Sequence, residues 1–139
     1  MAKLLITTLA LGLLTTGSFA KEISEKFNKN AKELTANLEA KKPTLIVFSA
    51  QWCGPCNTLK TEVWNTSDFS NLTDSHDFTP FYLDIDTAEN EKLMEKYNIE
   101  DIPTVIYVKA NSEKAEGDLT HGVESLENIK KNIDSHFSN

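Results

Sequence analysis

The chain of 139 residues contains no arginine, and its 14 lysines are outnumbered by 21 acidic residues, which gives a net charge of −7. Nucleic acids need a basic surface for their phosphates, so this composition argues against a nucleic-acid partner. Cysteine is scarce as well, since Cys53 and Cys56 are the only two. A bridge between residues so close in sequence closes almost no loop and barely restricts the unfolded chain. A purely structural disulfide is therefore the weaker interpretation.

A metal site is poorly supported by the same scarcity. A CxxC pair supplies half of a structural zinc site at most, and the sequence contains no second pair. The histidines stand singly and at spacings unlike those of a ligand cluster: His76, His121 and His136. We therefore expect no metal and no other cofactor.

Long apolar runs are confined to the first residues of the chain. A short basic start is followed by an apolar run over residues 4–14, which is too short to span a bilayer comfortably. Small residues, Ser18 and Ala20, then occupy the positions expected before a signal-peptidase site. The pattern predicts a signal peptide over residues 1–20 that is cleaved after Ala20. An uncleaved anchor and a buried helix are the alternatives.

Residues 21–139 are predicted to form one domain, since 119 residues suffice for a single modest core. Export predicts a location beyond the cytoplasmic membrane. No endoplasmic-reticulum retrieval signal stands at the end of the sequence, which favours a bacterial periplasm. A signal peptide alone does not separate the periplasm from release outside the cell.

The hydrophobic pattern alternates between helix and strand along the domain. Apolar residues from Ile23 to Leu38 recur every three or four positions and predict a first helix over about residues 24–40. Residues 44–50 form a continuous apolar run, typical of a strand covered on both faces. The later predicted elements are helices from Pro55, over 68–72, over 87–97 and from Ser125, and strands over 78–84, over 104–108 and between 114 and 122. This order predicts an α/β sandwich with a mixed sheet.

The two cysteines stand where the first predicted strand meets the second helix. Disulfide exchange needs one thiolate that attacks a disulfide and a second thiol that resolves the mixed disulfide. At a helix N-terminus the thiolate of Cys53 is favoured by unpaired N–H groups and the helix dipole, so Cys53 is the predicted nucleophile. Cys56 lies one turn further into the helix and is the predicted resolving thiol.

The sequence resembles the thioredoxin family through Ala50-Gln51-Trp52-Cys53-Gly54-Pro55-Cys56 and through Ile102-Pro103-Thr104. The resemblance implies a thioredoxin fold, a three-layer sandwich with a central mixed β-sheet flanked by helices. It also implies a cis peptide bond before Pro103, which would face the cysteine pair. The residues that it assigns to substrate contact are Trp52, Gly54, Pro55, Ile102 and Pro103.

Three positions depart from the family pattern. Val47 stands where many thioredoxins have a buried Asp, Tyr82 where they have its Lys partner, and Ser49 where an aromatic residue is common. In the family, the buried carboxylate assists proton transfer to and from the resolving thiol. Its absence leaves the deprotonation route of Cys56 open. We favour water as the proton acceptor over an acid such as Glu62.

The resemblance implies a thiol:disulfide oxidoreductase, and Gly54-Pro55 together with Ile102 favours a reductase of protein disulfides. A reductase in an oxidising compartment needs a membrane electron donor. The long segment over residues 60–72 is similar to exported proteins related to the C-terminal domain of the reductase DsbD, so a donor of the DsbD type is expected. The alternatives are an oxidase or isomerase, or a non-catalytic protein-binding module. We expect a monomer.

Overall fold

A computed structural model of the chain describes residues 22–112 and 117–138. The predicted signal peptide over residues 1–20 lies outside this described part. Within it, no helix combines the length and the apolar character that crossing a membrane would require.

The centre of the fold is a four-stranded sheet in the order β2-β1-β3-β4. The strands are β1 (Thr44–Ser49), β2 (Thr79–Asp84), β3 (Thr104–Val108) and β4 (Asp118–His121). β1 and β2 are parallel, whereas β3 is antiparallel to both β1 and β4. The sheet is therefore mixed, as the sequence predicts.

Helices cover both faces of this sheet. They are α1 (Ala31–Glu39), α2 (Gly54–Leu59), α3 (Ser67–Ser75), α4 (Ala88–Lys96) and α5 (Leu126–Phe137). α1 and α4 pack on the face that carries Ile46 and Phe48, and α2, α3 and α5 pack on the face that carries Leu45 and Val47. Because successive side chains of β1 enter opposite cores, all six of its residues are buried.

The first helix begins later than its sequence pattern suggests. The prediction placed it over residues 24–40, but α1 starts at Ala31, where the Asn30 side chain accepts hydrogen bonds from two backbone N–H groups of the first turn. The preceding residues run along the outer edge of β2. There the Asn28 N–H donates to the Pro80 carbonyl, and the Tyr82 N–H donates to the Asn28 carbonyl, both at 2.9 Å. Phe27 lies in this extended segment and is buried in the core. Its spacing from the next apolar residues therefore matches a helical pattern although the segment is not helical.

A π-helical segment, Lys60–Trp64, continues α2 and was not predicted. Its wider turn places two successive residues, Val63 and Trp64, in the core, each 1% exposed. Trp64 meets the rings of Phe27 and Phe69 at centroid distances of 5.7 and 5.0 Å. The π-helical segment therefore packs directly against the N-terminal segment.

Phe27 is the anchor of the N-terminal segment. Its ring stacks on Phe69 at 5.1 Å and meets the edges of Trp64 and Tyr82. Because the ring is 5% exposed, replacing Phe27 by Ala should lower the free energy of unfolding by about 3–5 kcal/mol. Urea unfolding of the oxidised protein measures this loss.

The matched control is Val123→Ala, at a side chain that is 51% exposed. It should change the free energy of unfolding by less than about 0.5 kcal/mol. A similarly small change for Phe27→Ala would show that the N-terminal segment does not dock on the core as described.

Candidate active site

The two cysteines form a disulfide at the carboxyl end of β1, with their Cα atoms 5.2 Å apart. A turn follows the strand, in which the Cys53 N–H donates to the Ala50 carbonyl at 3.2 Å. The Cys53 carbonyl then accepts the N–H of Asn57 at 3.1 Å, which starts α2. Pro55 occupies the first turn, where its fixed backbone angle suits a helix and its missing N–H costs nothing. The local sequence thus sets Cys53 at the N-cap of α2.

The surroundings of the two sulfur atoms differ. The Cys53 sulfur accepts a hydrogen bond from the Cys56 N–H at 3.2 Å, a contact that favours negative charge on this sulfur. Cys56 is 1% exposed and Cys53 is 5% exposed. Together with Ala50 they form one small cluster, against which Ile85 and Ile102 pack. The arrangement suits attack by Cys53 and an internal role for Cys56.

The Ile102–Pro103 peptide bond is cis, as the resemblance implies. The Ile102 carbonyl oxygen lies 4.0 Å from the Cys53 sulfur, so this loop lies directly beside the disulfide. The N–H of Gly122 donates to the Pro103 carbonyl at 3.0 Å. Gly122 has a φ of +76°, a conformation that glycine adopts without strain. The end of β4 therefore helps to hold the proline loop.

Trp52 projects beside the disulfide and is 68% exposed. Its indole N–H donates to both carboxylate oxygens of Asp86, at 3.0 and 3.1 Å. Asp86 holds the exposed ring in one orientation and was not among the predicted site residues. Its position shortly after β2 is only a weak indication of a site residue, because the sequence does not show which side chain Asp86 contacts.

Gly54 and Pro55 are exposed at the start of α2. A Cβ atom added at Gly54 would meet no other part of the chain within 4 Å. Nothing in the fold itself therefore requires glycine at this position. The structure places the predicted substrate-contact residues Trp52, Gly54 and Pro55 on one side of the disulfide and the Ile102–Pro103 loop against Cys53.

The three departures from the family pattern lie together beneath α2. Val47 and Tyr82 are direct partners in the parallel pairing of β1 and β2, which agrees with the sequence comparison. The hydroxyls of Ser49 and Tyr82 lie 2.6 Å apart and form a hydrogen bond. Burial is the main cause of a raised Tyr82 pKa; the hydrogen bond to Ser49 lowers that pKa, and the charge of Asp84 raises it. Tyr82 is therefore a neutral phenol at physiological pH.

A cavity of about 480 Å³ opens next to this hydroxyl pair. Ser49, Tyr82 and Asp84 line it with polar groups, and Ala50 and Asn57, which flank the cysteine segment in sequence, line it as well. Glu22, Lys29 and Lys60 are the other charged residues that line it. The small Ser49 leaves room here that a larger aromatic side chain at this position would occupy.

The three histidines do not form a cluster, and each one pairs with a separate carboxylate. His76, His121 and His136 each contact a different carboxylate, those of Asp134, Asp101 and Asp118. Across residues 22–112 and 117–138, no three His, Cys, Asp or Glu side chains are grouped so that they could hold a metal ion.

Comparison with known proteins agrees with this geometry. The model of the thioredoxin family matches residues 19–135. A thioredoxin H-type of Oryza sativa subsp. indica is 32% identical over 81 residues, which are 58% of this chain and 61% of that protein. A thioredoxin of Chlorobaculum thiosulfatiphilum is 28% identical over 103 residues, which are 74% of this chain and 87% of that protein. The chain spans only 43% of a third relative, thioredoxin-2 of Pyricularia oryzae.

Solved structures share the fold. Thioredoxin O2 from Arabidopsis thaliana in its oxidised state superimposes with a TM-score of 0.62 at 23% identity, covering 81% of this chain and 93% of that one. Plasmodium falciparum thioredoxin superimposes with a TM-score of 0.60 at 25% identity, covering 80% of this chain and 85% of that one. With a mixed four-stranded sheet between two helical layers and a Cys53–Cys56 disulfide opposite a cis proline, the chain belongs to the thioredoxin family.

Proposed function

We propose that this chain is an exported thiol:disulfide oxidoreductase that reduces disulfides in other proteins. The observation that carries the proposal is the closed Cys53–Cys56 disulfide at the N-terminus of α2, beside the cis Ile102–Pro103 bond. The three relatives compared above are thioredoxins by name. Protein disulfides are therefore the proposed substrates.

In the first step of the reaction, the Cys53 thiolate attacks one sulfur of the substrate disulfide. One substrate sulfur leaves as a thiolate, and the other remains bonded to Cys53 as a mixed disulfide. The N–H of Cys56 stabilises the attacking sulfur. Exposed Trp52, Gly54 and Pro55 surround the approach to Cys53, while the backbone next to Pro103 lies close enough to pair with the substrate chain.

In the second step, Cys56 loses its proton and attacks the Cys53 sulfur. The substrate leaves with its second thiolate, and the internal disulfide closes as in this structure. Each turnover moves two electrons from the cysteine pair to the substrate. The oxidised pair must then be reduced by a second dithiol, for which we propose a membrane donor of the DsbD type.

Periplasmic export is the proposed context for this chemistry, and its support is the signal-peptide pattern of residues 1–20. In an oxidising compartment, a single pair of cysteines this close in sequence is suited to redox exchange. It is poorly suited to a structural disulfide that links distant parts of the chain. In the described part of the chain, both cysteines are taken up by this one pair.

Reduction of insulin by dithiothreitol tests the catalytic proposal. The wild-type protein should accelerate precipitation of the insulin B chain, and Cys53→Ser should abolish the acceleration because the attacking sulfur is lost. Cys56→Ser that has been reduced and then freed of dithiothreitol should instead accumulate a mixed disulfide with insulin, detected by mass spectrometry. If the wild-type rate equals that of dithiothreitol alone, the domain is a binding module and the proposal is wrong.

The direction of electron flow is tested by equilibrating the cysteine pair in a dithiothreitol buffer. We expect a reduction potential near that of thioredoxin, about −270 mV, because Gly54-Pro55 is the spacer associated with reducing members of the family. A value near that of DsbA, about −120 mV, would instead identify an oxidase.

Export is tested by expressing the full chain in a bacterium and isolating the periplasmic fraction. The mature protein should appear there, with Lys21 as its first residue in N-terminal sequencing. Replacing Ala20 with a bulky residue such as Tyr should block cleavage, since the peptidase requires a small side chain at that position. Recovery of the full-length wild-type chain from the cytoplasm would contradict export.

A further inference from the structure

We propose that Ser49, Tyr82 and Asp84 provide the proton route that serves Cys56, in place of a buried carboxylate at position 47. The inference rests on the proposed oxidoreductase function and concerns its second step. It explains how the resolving thiol is deprotonated in a site where the usual acid is replaced by Val47.

The need for such a route follows from the burial of Cys56, which is 1% exposed. A thiol in apolar surroundings holds its proton more tightly than one in water, so its attack on Cys53 requires a nearby acceptor. Val47 has no ionisable group, and no acidic side chain in residues 22–112 and 117–138 is buried. Glu62, considered from the sequence, is exposed on the π-helical segment.

The register of β1 and β2 places the three proposed groups under the helix that carries Cys56. Ser49 and Asp84 are direct partners across the two strands, and Tyr82 lies two residues before Asp84 on the same face. This face is covered by α2, because Val47 packs in one cluster with Leu59, one turn beyond Cys56.

The hydrogen bond between Ser49 and Tyr82 makes a relay possible. Each hydroxyl both donates and accepts, so a proton can pass through the pair without either oxygen becoming charged for long. Because its pKa is raised, Tyr82 is a neutral relay rather than a base. Asp84 lines the same cavity as Ser49 and Tyr82, and its carboxylate can take up the proton at the end of the route.

The 480 Å³ cavity extends from this hydroxyl pair to residues adjacent in sequence to the cysteine segment. Ala50 lines the cavity and belongs to one apolar cluster with both cysteines, and Asn57, which directly follows Cys56, also lines the cavity. A water molecule needs far less volume than this and two to four polar partners, which the two hydroxyls and Asp84 supply. The other charged groups facing the cavity are Glu22 and Lys29 from the N-terminal segment and Lys60 from the π-helical segment.

The Cys56 thiol gives its proton to a water molecule held by Ser49 and Tyr82, and the proton passes along the hydroxyl pair and through water in the cavity to the Asp84 carboxylate. The Cys56 thiolate then forms a bond to the Cys53 sulfur as the bond between Cys53 and the substrate breaks. The substrate departs as a thiolate and takes a proton from solvent, while Asp84 releases its own.

Tyr82→Phe tests the route, since it removes the hydroxyl and keeps the ring against Phe27. Reduced protein is mixed in a stopped-flow instrument with a bis-nitrobenzoate disulfide, which releases one coloured thiolate on attack by Cys53 and a second on resolution by Cys56. At pH 7 we expect the second release to slow about tenfold and the first to stay unchanged. The loss is smaller than the roughly hundredfold effect of a complete acid or base, because water in the cavity replaces part of the relay. The difference should close at alkaline pH, where Cys56 ionises directly.

The matched control is Tyr97→Phe, which removes the buried hydroxyl of a half-buried side chain that packs on the opposite face of the sheet. Both releases should proceed as in the wild type. Ser49→Ala should slow the second release as Tyr82→Phe does. Adding Val47→Asp to Tyr82→Phe should restore the rate of resolution, because a carboxylate then stands at the position that many thioredoxins use.

The outcomes separate this inference from the proposed function. If the wild-type protein reduces insulin but Tyr82→Phe resolves at the wild-type rate at every pH, the proton route is wrong and the function stands. Equal slowing of both releases, or the same slowing in Tyr97→Phe, shows a structural effect and also overturns the route. An inert wild-type protein overturns the function itself. Should the Val47→Asp variant fail to fold, the comparison of Tyr82→Phe with Tyr97→Phe still decides.

Discussion

Burial of β1 on both faces determines where the chemistry of this protein takes place. Its six residues fill two cores at once, so the chain next becomes accessible only where the strand ends. At that end the turn around Ala50 leads directly into α2, and the disulfide lies between strand and helix. Helix packing above the sheet therefore covers Cys56 while it leaves Trp52 exposed. The same packing that stabilises the domain separates an approachable sulfur from an internal one.

The site combines a dry core with a polar rim. An ionised carboxylate in place of Val47 would have to be desolvated in the core, which costs several kcal/mol unless partners compensate. Val47 instead packs with its neighbours and contributes to the stability of the domain. The polar groups lie one step further along the strands, at Ser49 and Asp84, where the cavity admits solvent. On one face of β1, Val47 thus contributes to stability, and Ser49, the next residue on that face, belongs to the proposed proton route.

The sequence predicts most of the fold because β1, β2 and β3 are largely apolar runs between turn or cap residues. The prediction of the first helix is wrong at its start, because Phe27 is buried by the pairing of its extended segment with β2 and not by a helix. The cysteine pair and Pro103 are recognisable from local motifs. The contacts of Trp52 with Asp86 and of Ser49 with Tyr82 join residues more than thirty positions apart, and only the parallel register of the strands brings them together.

The docking of Asn28 on β2 has a consequence for association between molecules. An outer strand normally offers unpaired N–H and C=O groups to which another chain can add. Here the Pro80 carbonyl and the Tyr82 N–H are already bonded to Asn28, and Pro80 has no N–H to offer. At the opposite edge β4 has only four residues, three of them polar. Both edges of the sheet are thus poorly suited to strand-to-strand association with another chain.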